Sequence, residues 1–326
     1  MKNLDFSRYV LSACAAVAIL AACGGSQPPI GVQGVMPQVY SPVTPTYKVS
    51  GALLYVALDY PTAVLVFDAT ANNPKPIATI TKGLDDASRP CDDSDGMLYV
   101  PNDPSGDPGW ISEYALGQTK PLRLITKGIS TPGGCAIDAS GNLWVTNLGG
   151  ENVTEYLKGS TKPHLVITKG LTYPTAVAID HADSLYVTNP EPFSAPNVQV
   201  YAEGQKSPSR TITDGVTYPV GVAVDAHDTL YLVNLFYSCD IEEYRTGQGK
   251  PYRTITEGLY GPEGIVVGRN GWLYVTDEPD AQGCAPSSEP TAILEYPPHS
   301  LKPSSREITK DIFNPEGLAY YPPVLP

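Results

Sequence analysis

Beyond residue 50 the chain repeats one pattern of apolar and polar positions, which has to be settled before any single element is assigned. A Leu-aromatic-Val run, or a close variant, stands at Leu54-Tyr55-Val56, Leu98-Tyr99-Val100, Leu143-Trp144-Val145, Leu185-Tyr186-Val187, Leu230-Tyr231-Leu232 and Leu273-Tyr274-Val275. An Ile before Thr recurs at Ile80, Ile125, Ile167, Ile212, Ile255 and Ile308, at spacings of 45, 42, 45, 43 and 53. Between the two markers lies an aromatic position, filled by Phe67, Tyr114, Tyr156, Tyr201, Tyr244 and Tyr296. A small apolar segment entered through Pro-x-Gly, as in Pro219-Val220-Gly221, precedes most of the Leu-aromatic-Val runs. Four short β-rich segments per unit of about 45 residues match a propeller blade, with strands a to d counted from the central channel outward.

The ends of the series support ring closure. The first unit starts at strand b, whereas the chain finishes on Pro315-Glu316-Gly317-Leu318-Ala319-Tyr320-Tyr321, a strand a with nothing after it. Pairing the two fragments completes one blade and removes the open edges that invite aggregation. The expected fold is therefore all-β: a six-bladed propeller of four-stranded antiparallel blades, in preference to an open solenoid. Both faces of each blade are then buried, which accounts for apolar runs that do not alternate cleanly with polar residues.

Composition agrees. Thirty-three Pro and 30 Gly with only 17% charged residues argue against helix bundles, and 42% hydrophobic residues suffice for a sizeable core. A net charge of -13 has the wrong sign for neutralising phosphates and excludes nucleic acid as an expected partner.

Gly141-Asn142-Leu143-Trp144-Val145-Thr146-Asn147, preceded by Pro132 and Ala136-Ile137-Asp138, resembles an NHL repeat, and the pattern covers residues 51 to 321. The resemblance implies a propeller and says little about activity, since one fold hosts many functions.

The amino terminus carries Lys2 and Arg8, an apolar run from Tyr9 to Ala22, and Leu20-Ala21-Ala22-Cys23. The run is too short to span a bilayer comfortably and reads as a cleavable signal. Its last four residues resemble the lipobox of bacterial lipoproteins, which implies cleavage before Cys23 and acylation of that residue; an ordinary secretory signal with a chance Cys is the alternative. Gly24 after the Cys resembles outer-membrane lipoproteins of Gram-negative bacteria. Removing residues 1 to 22 takes away Lys2, Arg8 and Asp5 and leaves 19 basic and 33 acidic residues, a charge of -14. Acyl chains would tether this acidic body to a membrane. Residues 23 to 50, rich in Pro and Gly, read as the lipidated Cys and a semi-extended spacer, and residues 51 to 326 as the propeller.

Four Cys remain in the body. Cys91 and Cys135 are 44 apart and Cys239 and Cys284 are 45 apart, each about one repeat, so the period pairs them across neighbouring blades. Aligned by repeat, Cys91 matches Ala136 and Cys135 matches Pro90; that offset of one turns the two side chains toward each other between inner strands. Disulfides imply an oxidising compartment, against four reduced thiols or a zinc site, for which no close Cys or His spacing exists.

Candidate site residues gather where the b to c and d to a loops meet around the channel. The b to c loops hold Asp59, Asp103, Asp107, Glu151, Glu191, Asp240, Asp277, Glu278, Asp280 and Glu289 and no Lys or Arg, which predicts a negative rim able to attract cations or basic partners. Asn102, Asn147, Asn189, Asn234 and Asp277 end strand b and are either ligand-binding groups at the channel mouth or turn caps. Tyr60, Trp110, Tyr173, Phe193, Tyr218, Phe236, Tyr237 and Tyr260 lie in or beside the same loops and could stack a glycan or grip a peptide.

Glu263 and Glu316, each in Pro-Glu-Gly, enter adjacent blades and resemble the metal-holding acids of gluconolactonase-like propellers. That resemblance implies a calcium or magnesium ion held by Glu263, Glu316 and Asp277, and metal-dependent hydrolysis. Matching positions Gly133, Thr175 and Val220 depart from it. No cofactor is otherwise expected. The four His, at 164, 181, 227 and 299, fall at turns on the opposite face, which argues against a His-based nucleophilic site. Asp92-Asp93-Ser94-Asp95-Gly96 reads as a tight turn like Asp138-Ala139-Ser140-Gly141, without EF-hand spacing. The favoured reading is a lipid-anchored binding or scaffold module for an envelope protein or glycan, with the metal-dependent hydrolase as the alternative.

Overall fold

A computed structural model describes residues 44–105, 108–190, 195–279 and 289–324. Cys23, Asp107, Glu191, Phe193, Asp280 and Cys284 lie outside the described residues.

The six repeats fold as six four-stranded antiparallel sheets. Blade one combines Leu53–Leu58, Ala63–Asp68 and Ala78–Ile80 with the carboxyl-terminal strand Pro315–Tyr321. That strand pairs antiparallel with the first, from Leu53 opposite Tyr321 to Ala57 opposite Gly317. The ring closes as the repeat count requires.

Every Leu-aromatic-Val run is buried along its length because both faces of its strand meet a neighbouring blade. One core cluster shows the arrangement: Tyr99 and Ile111 of blade two pack with Cys135, Leu143 and Val145 of blade three. The aromatic position of strand c joins the blades by a hydrogen bond as well. Tyr114, Tyr156, Tyr201, Tyr244 and Tyr296 donate through Oη to the carbonyls of Lys82, Lys127, Lys169, Asp214 and Glu257, at 2.6 to 2.8 Å. Each acceptor follows strand d of the preceding blade. Phe67 lacks a hydroxyl, and at that joint Arg306 donates to the carbonyls of Ala69 and Ala71 while Lys310 donates to that of Asn73.

Asp93, Asp138, Asp180 and Asp225 hold the a to b turns, each accepting from the backbone N–H groups two and four residues on. Asp93 thus belongs to a turn, as its sequence predicts. Cys91 and Cys135 form a disulfide between the inner strands of blades two and three, with Cα atoms 5.6 Å apart. Cys239 is also disulfide-bonded. Disulfides in the body point to an oxidising, extracytoplasmic setting.

Residues 44 to 50, assigned to the spacer by composition, lie against blades one and two. Thr46 donates its backbone N–H to Gly117 at 2.7 Å, and Tyr47 is buried with Tyr55, Leu98 and Tyr114.

Candidate functional site at the channel mouth

Strand a enters each blade at the channel, so the residues that open it form a ring. Strand pairing aligns Gly134, Ala176, Gly221, Gly264 and Gly317 in five blades and Arg89 in blade two. The ring is tight. A Cβ on Gly317 would stand 2.6 Å from the Cα of Arg89, and one on Gly264 2.8 Å from the Cα of Gly317. Glycine is therefore required there by the approach of neighbouring strands, and one long side chain takes the space left over.

That side chain is Arg89. Its guanidinium lies 4.0 Å from Glu263 and 3.8 Å from Glu316, all three largely buried. Glu263 and Glu316 do converge across adjacent blades, and burial pushes the Glu263 carboxyl up to about 8, helped by the charge of Glu316 and opposed by Arg89. A second acidic group adjoins them. Burial and a hydrogen bond with Asp59 raise Asp86 to about 7, with Asp103 and Glu316 adding like charge. With Glu278 beside Glu263, six carboxyls thus share one side of the mouth with one guanidinium.

This arrangement is an ion network and not an oxygen cage. Glu263 and Glu316 hydrogen-bond to each other with the protein's own cation, Arg89, beside them, and Asp277 turns its Oδ1 to the backbone N–H groups of Tyr260 and Gly261 at 2.8 and 2.9 Å. Among the described residues, no group of three or more His, Cys, Asp or Glu is placed to hold a metal ion. The side chains present do not fit the calcium or magnesium ion that the gluconolactonase-like resemblance implies.

The strand b termini occupy a different place. Asn102, Asn147, Asn189, Asn234 and Asp277 are buried, and their Oδ1 atoms accept from amides of the incoming d to a loop: Asp85, Ser130, Thr172 with Tyr173, Thr217 with Tyr218, and Tyr260 with Gly261. They fix the loops that carry the rim. Of the aromatic residues, Tyr218 packs edge-on against Phe236 at 4.8 Å, and Trp110 donates to the carbonyl of Gly83. Tyr60 and Tyr237 stay 77% and 81% exposed, so their rings are open to a partner.

Arg89 and Asp86 were not legible as site residues. Blade two has Ala87 where other blades have Pro, so alignment on Pro-x-Gly passes over it, yet the strand register shows Arg89 replacing a glycine. The d to a segments also carry Lys82, Lys127, Lys169 and Lys310, all exposed.

Comparison with known proteins agrees on the architecture. The family model described as strictosidine synthase-like, N-terminal, matches residues 252–278. A chain in the crystal structure of a nidogen/laminin complex superposes with a TM-score of 0.66 at 17% identity, covering 83% of this chain and 98% of that one. A protein of unknown function from Bacteroides caccae gives 0.62 at 12% identity, covering 83% and 99%. Hydrazine synthase of Kuenenia stuttgartiensis gives 0.53 at 14%, covering 69% and 70%. The likeness is one of fold. A search of curated proteins finds no match to the sequence.

Proposed function

We propose that the protein is a lipid-anchored, extracytoplasmic binding module whose loop face holds a basic segment of an envelope protein. The observation that carries this reading is that Glu263 and Glu316 meet beside the Arg89 guanidinium while Asp86, with Asp59 and Asp103, adjoins Glu316, next to the exposed ring of Tyr60. A negative centre of this kind steers Lys- and Arg-bearing partners, and flat exposed rings supply cation–π and stacking contacts. A propeller of this fold in a nidogen/laminin complex is consistent with protein ligands on such a scaffold. Anchoring rests on Leu20-Ala21-Ala22-Cys23 and would hold the face near other envelope components.

The test uses the full chain in its native envelope. A photo-crosslinking residue at Tyr237 is expected to give discrete protein adducts that disappear in Asp86→Asn/Asp103→Asn/Glu316→Gln and in high salt, while a crosslinker at His299 on the opposite face gives none. Adducts that survive both changes would remove the acidic centre from the reading. Cys23→Ser is expected to release the protein from membranes; a variant that stays acylated and bound would contradict the anchor.

A further inference from the structure

The residue that precedes strand a holds an equivalent place at the mouth in every blade. The strand register and the contacts made by the strand b termini assign that place to Asn314, Asp86, Thr131, Tyr173, Tyr218 and Gly261, in blades one to six. The inner strands meet in the same order round the ring, so blade five lies across the channel from blade two. Glu263, Glu316 and Asp86 belong to blades six, one and two. Tyr173 and Tyr218 stand on the other side of the mouth, in blades four and five.

Blade five adds two more rings from the loop after Asn234. Phe236 packs edge-on against Tyr218, Tyr237 is 81% exposed, and Tyr173 in blade four is 40% exposed. The Tyr173 and Tyr237 phenols both lie close enough to act on the Tyr218 phenol, and no charged group among the described residues does so. Hydroxyls accompany the rings: Thr217 precedes Tyr218, Ser238 follows Tyr237, and their side-chain oxygens are 2.8 Å apart. The backbone under this patch is fixed. A φ of +65° at Phe236 is a left-handed conformation that a bulky residue adopts only under constraint. Here Leu235 donates its N–H to the Tyr218 carbonyl at 3.0 Å, Tyr237 donates to that of Leu235 at 2.9 Å, and Cys239 is disulfide-bonded. Tyr173 and Tyr218 in turn donate to Asn189 and Asn234 Oδ1 at 3.3 and 3.4 Å. A surface ordered in advance loses little freedom on binding.

We infer that Tyr173, Tyr218 and Tyr237 form a subsite for a neutral glycan, a pyranose laying its C–H face on the rings while its hydroxyls meet the phenols, Thr217 and Ser238. Three features select this class. The negative face of an aromatic ring attracts the polarised C–H bonds of a sugar, and a phenol adds a polar edge to that flat surface. Side-chain hydroxyls beside the rings replace the water bonds that sugar hydroxyls lose on docking. The lack of a charged group beside Tyr218 leaves an ionic ligand without a partner there. This subsite goes beyond the basic-segment reading and holds whether or not the acidic side of the mouth engages a protein.

Calorimetry of the full chain with chitotetraose, cellotetraose and maltotetraose, and with tetralysine for comparison, tests this. At least one of the three sugars is expected to bind with a Kd of about 1 mM or below, unchanged between about 0.1 M and about 1 M NaCl. Tyr237→Ala removes an exposed ring without touching the core and is expected to weaken that sugar at least about tenfold. Tyr237→Trp is expected to keep the affinity, and Asp86→Asn to leave it unchanged. Failure of all three sugars to bind, equal affinity in Tyr237→Ala, or loss in Tyr237→Trp would each overturn the subsite. Tetralysine binding that Tyr237→Ala removes, with no sugar bound, would give the rings to the basic segment instead.

Discussion

The Arg89 guanidinium lies 3.8 Å from Glu316 and 4.0 Å from Glu263, so one residue of blade two neutralises acids contributed by two other blades. Removing one partner of a buried charge group leaves the others unpaired, which costs about 3 kcal/mol where the carboxyls are ionised. Arg89→Met is expected to lose about that much stability in urea unfolding at pH 9. At pH 5, where Glu263 keeps its proton, most of the loss should vanish; an equal loss at both pH values would mean the side chain acts by packing alone.

Glu263 gives the wild-type protein its own pH signature. Its carboxyl is raised to about 8 in the folded chain, above its ordinary value in the unfolded one. Between about pH 4.5 and pH 8 the unfolded state has therefore lost a proton that the folded state keeps, and stability falls as pH rises. One such group contributes a slope of at most about 1.4 kcal/mol per pH unit. Glu263→Gln should flatten this part of the profile, as measured by urea midpoints at half-unit steps.

Calcium provides a separate check on the same acids. Because Arg89 already supplies a positive charge beside the paired Glu263 and Glu316, adding millimolar calcium or magnesium is expected to leave the melting temperature unchanged. A saturable rise that Glu263→Gln and Glu316→Gln remove would restore the metal-dependent hydrolase.

The repeat was legible because its residues do the same job in each blade. Tyr114, Tyr156, Tyr201, Tyr244 and Tyr296 each bury a ring and donate to the previous blade, so the sequence period is the structural period. Cys91 and Cys135 were legible for a related reason: a one-residue offset between repeats points their side chains at each other. The site was less so, because its residues are departures from the period. Arg89 stands where other blades carry Gly or Ala. Asn189 and its equivalents, by contrast, recur like site residues but serve the loops.

The clasp at the strand c aromatic position predicts a uniform and modest cost for its loss. Tyr201 donates to the Lys169 carbonyl at 2.7 Å while its ring is fully buried. Tyr201→Phe keeps the ring and removes one neutral hydrogen bond, expected to cost about 1 kcal/mol with the denaturant slope unchanged. Phe67 shows that a blade tolerates the change where other bonds cross the joint. A cost below a few tenths of a kcal/mol would assign the joint to apolar packing alone.

The Cys91–Cys135 bridge closes a loop of 44 residues between adjacent blades that already pack through Tyr99, Ile111 and Val145. In the chain-entropy model a loop of this length contributes about 4 kcal/mol by restricting the unfolded chain. Chemical reduction would also open the bond at Cys239, so the paired substitution Cys91→Ala/Cys135→Ser isolates the effect. That variant is expected to fold, because the blade interface remains, and to unfold at a lower urea midpoint with a larger slope as the unlinked chain expands. An unchanged midpoint would show that packing between blades two and three fixes the joint without help from the bridge.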